Sequence, residues 1–597
     1  MKAVFLLLLL HIGSAHAKSF QFLYLEASEG NASGGHVAVQ LSNVIYHYQY
    51  ENALIRLFKR DTQAFLADYQ LRQNRSLHVA DVAVSDATYM LISDFFKQRF
   101  FEQTQQLKQL QAVQHDQFLV QALLEKKVGT PIFSATAQAE LPQLPGAGLF
   151  YTNTDSNEKC NTRQASITVL GKVKQQLENQ YGKNFLSQKI IASSHSLRGL
   201  KPTMTSFSEH YNDLLNGLLA LQVLQNSQAL TKNSCFEVNS PSMRLSDADI
   251  TQARSFQQRL IESAQSLTIS NRPDWGYALF VTLARIIVLE QSIQTRQWTF
   301  LEDTDETVAA INSEQLMLYA AQQQKQRTMD LRYLHEAIAD FKKSATPDEQ
   351  DYTRLEMAAN RHQQWLLSDK SGELRYASDQ PLPHKSVPIS HFLMTDLPAE
   401  QFAIALRQQK PITEHAINND KQRNAYQLLT KNCVTMLLEL INAAVSGKSE
   451  ALLGGYIDPK TNFIPFQAFD AVLENYKVIS NRVLPAYRQQ KLTTLYAREV
   501  DSWVYARESN IFSSSLYNHN PDDAWFVFFT DDTLWFRPLF GAVNTLAATS
   551  QSLLGLLRLP FDDGKEVKIG VRGVLTSLPE LAFFNIRKGS YPYRIEP

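Results

Sequence analysis

Cysteine is scarce in this chain: three residues in 597, at positions 160, 235 and 433. Spread so widely, they argue against a structural zinc site, which needs clustered thiolates and imidazoles. The sequence also has no CxxC, no HExxH, no GxxxxGK(S/T) and no GxGxxG after a strand. The usual routes to redox, zinc-hydrolase, nucleoside-triphosphate and dinucleotide chemistry are therefore closed, and no cofactor is implied. Charge of one sign is lacking too. The formal net charge is −1, which excludes the basic surplus expected of a nucleic-acid partner. The N-terminal apolar run, Ala3 to Ile12, is too short to span a bilayer comfortably.

That short run reads instead as an export signal. Lys2 supplies the positive start, and Ala15-His16-Ala17 offers an A-x-A cleavage site. Residues 1–17 are thus expected to be removed near Ala17, leaving a periplasmic or secreted chain beginning at Lys18. In an oxidising compartment compatible thiols pair. Cys160 and Cys235 both lie in polar, loop-like contexts, so they are expected to form a disulfide, leaving Cys433 as the free thiol.

A chain of this length divides into several domains. Residues 18–130 open with β-prone runs, Phe20 to Leu25, His36 to Leu41 and Val44 to Tyr50, and continue into an amphipathic helix over 85–110. Residues 131–380 begin loop-rich and then read as helices over 166–181, 205–230, 246–268, 275–296, 314–344 and 350–367. Residues 381–495 carry a linker, a helix over 398–408, and the segment bearing Cys433. Residues 496–597 turn aromatic. Trp525 to Phe529 and Glu566 to Val571 look like strands, and Leu539 to Leu559 like an amphipathic helix too polar to cross a membrane, packed on its own sheet or, as the less favoured alternative, lying on a membrane surface.

The chemistry centres on Cys433. Polar Thr430-Lys431-Asn432 precede it, and Met436, Leu437, Leu440 and Ile441 follow at helical spacing, so the thiol opens a helix. There the dipole favours a thiolate and the first-turn N–H groups are available to an oxyanion. His36 begins a strand and His47 follows 11 residues later on the next strand of a hairpin. Such positions share a face, so one imidazole can act as base while the other orients it. His391 and His415 are alternative bases, nearer to Cys433 in sequence.

The Gly35-His36 strand, the hairpin ending at His47, and Asn432-Cys433-Val434-Thr435 at a helix start resemble the permuted papain-like enzymes. These include lecithin–retinol acyltransferase and its relatives and the NlpC-type cell-wall peptidases. Together with the export signal, the same motifs look like the bacterial periplasmic domain family typified by the lipoprotein intramolecular transacylase Lnb. The resemblance covers about residues 20–110 and 385–450. It implies an α+β fold: a circularly permuted papain-like domain with a large, mainly helical insertion and a small C-terminal α/β region. It also implies Cys433 as nucleophile, His36 as base and His47 as the residue holding it. The reaction would be acyl transfer or hydrolysis through an acyl-thioester, on an acyl lipid or lipoprotein substrate, with a peripheral membrane contact left open. A cell-wall peptide amidase and a non-catalytic envelope scaffold are the alternatives.

Overall fold

The structure, a computed structural model, describes residues 18–26, 35–73, 75–129, 142–151, 161–203, 206–238, 243–302, 310–312, 320–344, 346–375, 385–517, 523–529 and 535–581. It is α+β, 64% helical with an antiparallel sheet. The chain forms two compact units. One combines Met1–Thr104 with Arg423–Pro597, and the other is Gln105–Gln422. The boundaries fall at residues 104/105, inside the helix Asp86–Val128, and 422/423, near the end of the helix Ala399–Asn424. The expected signal segment and Cys160 lie outside the described residues.

The first unit is organised on one six-stranded sheet. Strands β1 (Lys18–Leu25), β2 (His36–Leu41), β3 (Val44–Glu51), β4 (Leu54–Asp61) and β5 (Leu77–Val84) are joined by a late strand, Val478–Leu484. The spatial order is late strand, β5, β1, β2, β3, β4, every pairing antiparallel. A strand almost 400 positions downstream thus completes the sheet begun at residue 18. Two tight hairpins set the register of the early strands. Ser42 takes positive φ between β2 and β3, and Asn52 and Ala53 both do so between β3 and β4, the twist that two-residue hairpin turns require.

Alternation along each strand sorts the side chains onto two faces. Phe20, Phe22, Val37, Val39, Tyr46 and Ala80 point to one of them. The helices Cys433–Ala444 and Pro465–Asn475 cover that face with Val434, Leu437, Ile441, Phe469 and Val472. The other face carries Leu23, Leu25, Ala38, Ile45 and Val79, covered by Phe65 and Tyr69 from the short helix Thr62–Leu66 and the π-helical turn after it. Removing this much aliphatic and aromatic surface from water, at roughly 25 cal/mol per Å², is what holds the sheet closed on both sides.

The second unit is helical, as its sequence pattern indicates. Its core helix, Trp275–Thr295, is long and apolar enough to cross a membrane, yet 83% of its most apolar window is buried. Inside it the Arg285 guanidinium donates to Glu356 at 2.6 Å. A helix at Phe185–Arg198 was not evident from the sequence. Cys235 sits on a three-residue strand paired with Thr299–Leu301 and is disulfide-bonded.

The C-terminal region differs from expectation. Glu566 to Val571 is not a strand but part of the helix Lys565–Ser577, packed against the helix Arg537–Asp562. Trp525 to Phe529 is not a strand either: the Trp525 N–H goes to Gln551 Oε1, those of Val527 and Phe528 go to Asn544 Oδ1, and that of Phe529 goes to Ser509 O. Among the described residues beyond 496 there is no ladder strand, only an isolated bridge between Asn510 and Phe528. Among the described residues the region is helical rather than α/β, and the 537–562 helix has no sheet of its own to lie on.

Candidate functional site

Cys433 is the first residue of its helix because Asn432 caps it. The Asn432 Oδ1 accepts from the N–H of Val434 at 2.8 Å and of Thr435 at 2.9 Å, and Thr435 Oγ1 accepts from the Asn432 N–H at 2.9 Å. The Asn432 amide nitrogen donates to Leu428 O and Phe463 O. Such a reciprocal cap satisfies the orphan donors of the first turn and fixes where the next side chain emerges. The helix then buries Val434, Leu437, Leu438 and Ile441 against the sheet, so the sulfur is delivered to one end of β2.

Gly35 prepares the same end of β2 from the other side. Its φ is +83°, and a Cβ there would stand 2.4 Å from Leu25 O and 2.6 Å from the Tyr24 ring. Only glycine accepts both the angle and the approach. His36 follows directly and enters the strand.

The two histidines meet. His36 Nε2 lies 2.9 Å from His47 Nδ1, with the ring planes crossing at 88°. Both are buried. Tyr69 stacks on His36 at 5.9 Å, and Phe65 and Tyr69 meet His47 edge-on. Arg75 lies over Tyr69 and donates through Nε to Glu26 O at 2.6 Å and through Nη2 to Leu25 O at 3.2 Å. Sequence reasoning missed Tyr69 and Arg75, which lie in no recognisable catalytic motif.

The strand parity adds a refinement. Both imidazoles project to the Phe65–Tyr69 face, whereas the Cys433 helix packs on the opposite one. The thiol lies at the Val37 end of β2, within electrostatic reach of Tyr69. There the backbone N–H groups of Val37, Cys433 and Val434 favour its ionised form, and the Arg75 cation adds to them. Burial outweighs all four and pushes the thiol up to about 11. Burial likewise holds His36 well below its ordinary 6.5, helped by His47 and Arg75, and takes His47 down to about 3. At neutral pH the thiol and both imidazoles are therefore uncharged. Among the described residues no hydrogen bond joins the sulfur to either ring.

The other candidates sit elsewhere. His391 and His415 are exposed residues of the second unit, and His415 Nε2 bonds Asn419 on its own helix. Cys433, by contrast, is free and shares the first unit with His36 and His47. Among the described residues no group of three or more His, Cys, Asp or Glu side chains is placed to hold a metal ion.

Comparison of the chain with protein-family models, with curated proteins and with solved structures finds no match.

Proposed function

We propose that the protein is a thiol-dependent acyltransferase or hydrolase of the permuted papain-like kind. Cys433 is the nucleophile, His36 the general base and His47 a positioning residue. One observation carries the reading: a free thiol at a capped helix start, beside the backbone N–H groups of Val37 and Cys433, at the end of the strand that His36 opens, with His36 paired to His47 on the next strand.

The chemistry follows from that arrangement. The Cys433 sulfur attacks the acyl carbonyl as its proton passes to His36, and the carbonyl oxygen gains charge stabilised by backbone N–H groups. His36 returns the proton to the departing alcohol or amine, leaving an acyl-thioester. An incoming amine, hydroxyl or water then gives its proton to His36 and takes the acyl group, and the sulfur recovers its proton. The base role fixes a tautomer. His36 must keep Nδ1 unprotonated, so its Nε2–H donates to His47 Nδ1, and the His47 proton sits on Nε2. That atom is buried with no hydrogen-bond partner in the structure, an arrangement costing about 1–3 kcal/mol. A buried group held at such cost suits a functional role better than a packing one.

Acyl lipids or lipoproteins are the proposed substrates, and the cell envelope the proposed location. The disulfide at Cys235 supports an oxidising compartment. The test is transfer of a labelled acyl group from a lipid ester to the purified protein, with murein peptide release assayed beside it. Wild type should form a hydroxylamine-labile adduct that Cys433→Ala lacks. Equal labelling of both removes the nucleophile assignment, and peptide release without acyl transfer moves the substrate to the cell wall.

A second reading keeps the fold and drops the catalysis: an envelope scaffold. The raised thiol and the absence of a sulfur–imidazole hydrogen bond among the described residues favour it. It predicts no adduct with any acyl donor.

A further inference from the structure

The helical hairpin formed by Arg537–Asp562 and Lys565–Ser577 has its polarity reversed. Its buried side of the first helix is Arg537, Gly541, Asn544, Ala548, Gln551 and Gly555, small or polar at every position. Its exposed side is leucine. Leu546, Leu553 and Leu557 are 67%, 61% and 75% exposed, and Phe561 is 89% exposed. Trp535, just before the helix, is 92% exposed.

From this reversal we propose that the hairpin docks into a lipid bilayer surface, with the leucine side of the first helix seated among the acyl chains. Four independent features favour lipid over a protein partner. First, the buried side-chain amides of the first helix are paired within the region: Asn544 Nδ2 donates to Phe528 O and to Glu580 Oε2, and Gln551 Nε2 donates to Glu566 Oε2. Hydrocarbon demands such internal pairing.

Second, hydroxyls on the same helix bond back to the preceding turn. Thr545 donates to Gly541 O, Thr549 to Thr545 O and Ser550 to Leu546 O, at 2.7–2.9 Å. Exposed Thr549 and Ser550 therefore present little unmet polarity. Third, the two helices close on glycine, as helices do in lipid. A Cβ on Gly555 would stand 2.7 Å from Val567 N, and one on Gly570 would stand 2.5 Å from Ser552 N.

Fourth, the exposed apolar surface is too wide for one partner helix. At 100° per residue, Leu553, Leu554, Leu556, Leu557, Leu559 and Phe561 spread around most of the circumference, with Gly555 turned inward. A coiled-coil partner covers only a narrow seam. Charge agrees. From Arg537 to Phe561 there is no acidic residue, and Arg558, exposed at the edge and only 3.8 Å from Glu566 Oε1, is the one cation within the leucine-rich stretch from Leu553 to Phe561.

The experiment is flotation of the purified full chain, after natural export, with vesicles of phosphatidylethanolamine and phosphatidylglycerol. Wild type and Cys433→Ala should both float, which separates this proposal from the catalytic one. The exposed double variant Leu553→Glu with Leu557→Glu should bind at least about tenfold more weakly, with unchanged thermal unfolding. Ile191→Glu, an exposed apolar site in the second unit, should bind as wild type does. Wild type remaining with the vesicle-free fraction, or the double variant floating equally well, overturns the proposal. So does a wild-type dimer that the double variant converts to monomer without any vesicle binding.

Discussion

His36 Nε2 and His47 Nδ1 stand 2.9 Å apart on adjacent strands, one ring edge-on to the other, both out of contact with water. Neither ring can be charged there without giving up hydration that nothing nearby replaces, because Arg60 and Arg75 add like charge. The pair is therefore neutral in the folded state, and this has consequences for stability, catalysis and thiol reactivity.

Stability should fall on acidification. Both folded-state pKa values lie below the unfolded value of 6.5, that of His47 at about 3. Below pH 6.5 the unfolded chain takes up protons that the folded chain refuses. The stabilisation is complete above 6.5 and is lost progressively down to the folded pKa. Each histidine contributes about 1.4 kcal/mol per pH unit across that window. Urea midpoints at pH 7 and pH 5 should differ accordingly in wild type, and His47→Phe should reduce the difference by about one histidine's share. An equal pH slope in the variant would show that His47 is not held neutral by the fold.

Catalysis should depend unequally on the two rings. Replacing His36 by Ala removes the base and should lower acyl transfer by about 10²- to 10⁴-fold. His47→Asn retains a hydrogen-bonding side chain and should lose less, while His47→Ala should approach the His36 loss. If His47→Ala left the rate untouched, its positioning role would be refuted.

The thiol should be slow toward alkylation. Raising its pKa to about 11, roughly two units above a free thiol, cuts the thiolate fraction at neutral pH about a hundredfold. The greater nucleophilicity of the more basic thiolate recovers about tenfold. Iodoacetamide should therefore react with Cys433 about tenfold more slowly than with a small thiol, at a rate still climbing above pH 9. A plateau reached near neutrality would instead reveal a thiolate–imidazolium ion pair.

The parts of this arrangement that were legible in sequence are those written in local periodicity. Alternation marked β1 and the β2–β3 hairpin, and Asn432 before an apolar helical run marked the Cys433 helix. What escaped depended on distant partners. Arg75 matters through Leu25 and Glu26, some 50 positions earlier. The late strand exposes Ile479 and Val483 and has no apolar face to announce it. Val567, Ile569 and Val571 alternate as a strand would, yet Gly570 and Gly573 need a helix to meet the 537–562 helix closely. Packing overrode β-propensity there.

The late strand also carries a prediction about how the two parts of the first unit are held together. Asp81, on β5, is nearly buried and takes three donors from two neighbouring strands. Gln21 Nε2 of β1 reaches Oδ1 at 2.8 Å, Arg482 Nη1 of the late strand reaches Oδ2 at 2.6 Å, and Ser480 Oγ donates to the same oxygen. Asp81→Leu would strand Gln21 and release Arg482, at a cost of about 2–3 kcal/mol. The consequence should not stay local. The late strand follows the Cys433 helix and the Pro465–Asn475 helix in the chain, so loosening it frees the segment that seats the thiol. Asp81→Leu is thus expected to lower the urea midpoint and, below that midpoint, to speed Cys433 alkylation. Arg482→Met, which leaves Gln21 and Ser480 on Asp81, should do the same to a smaller extent. A lowered midpoint with unchanged alkylation would mean that the thiol is seated by its own helix cap and sheet contacts alone.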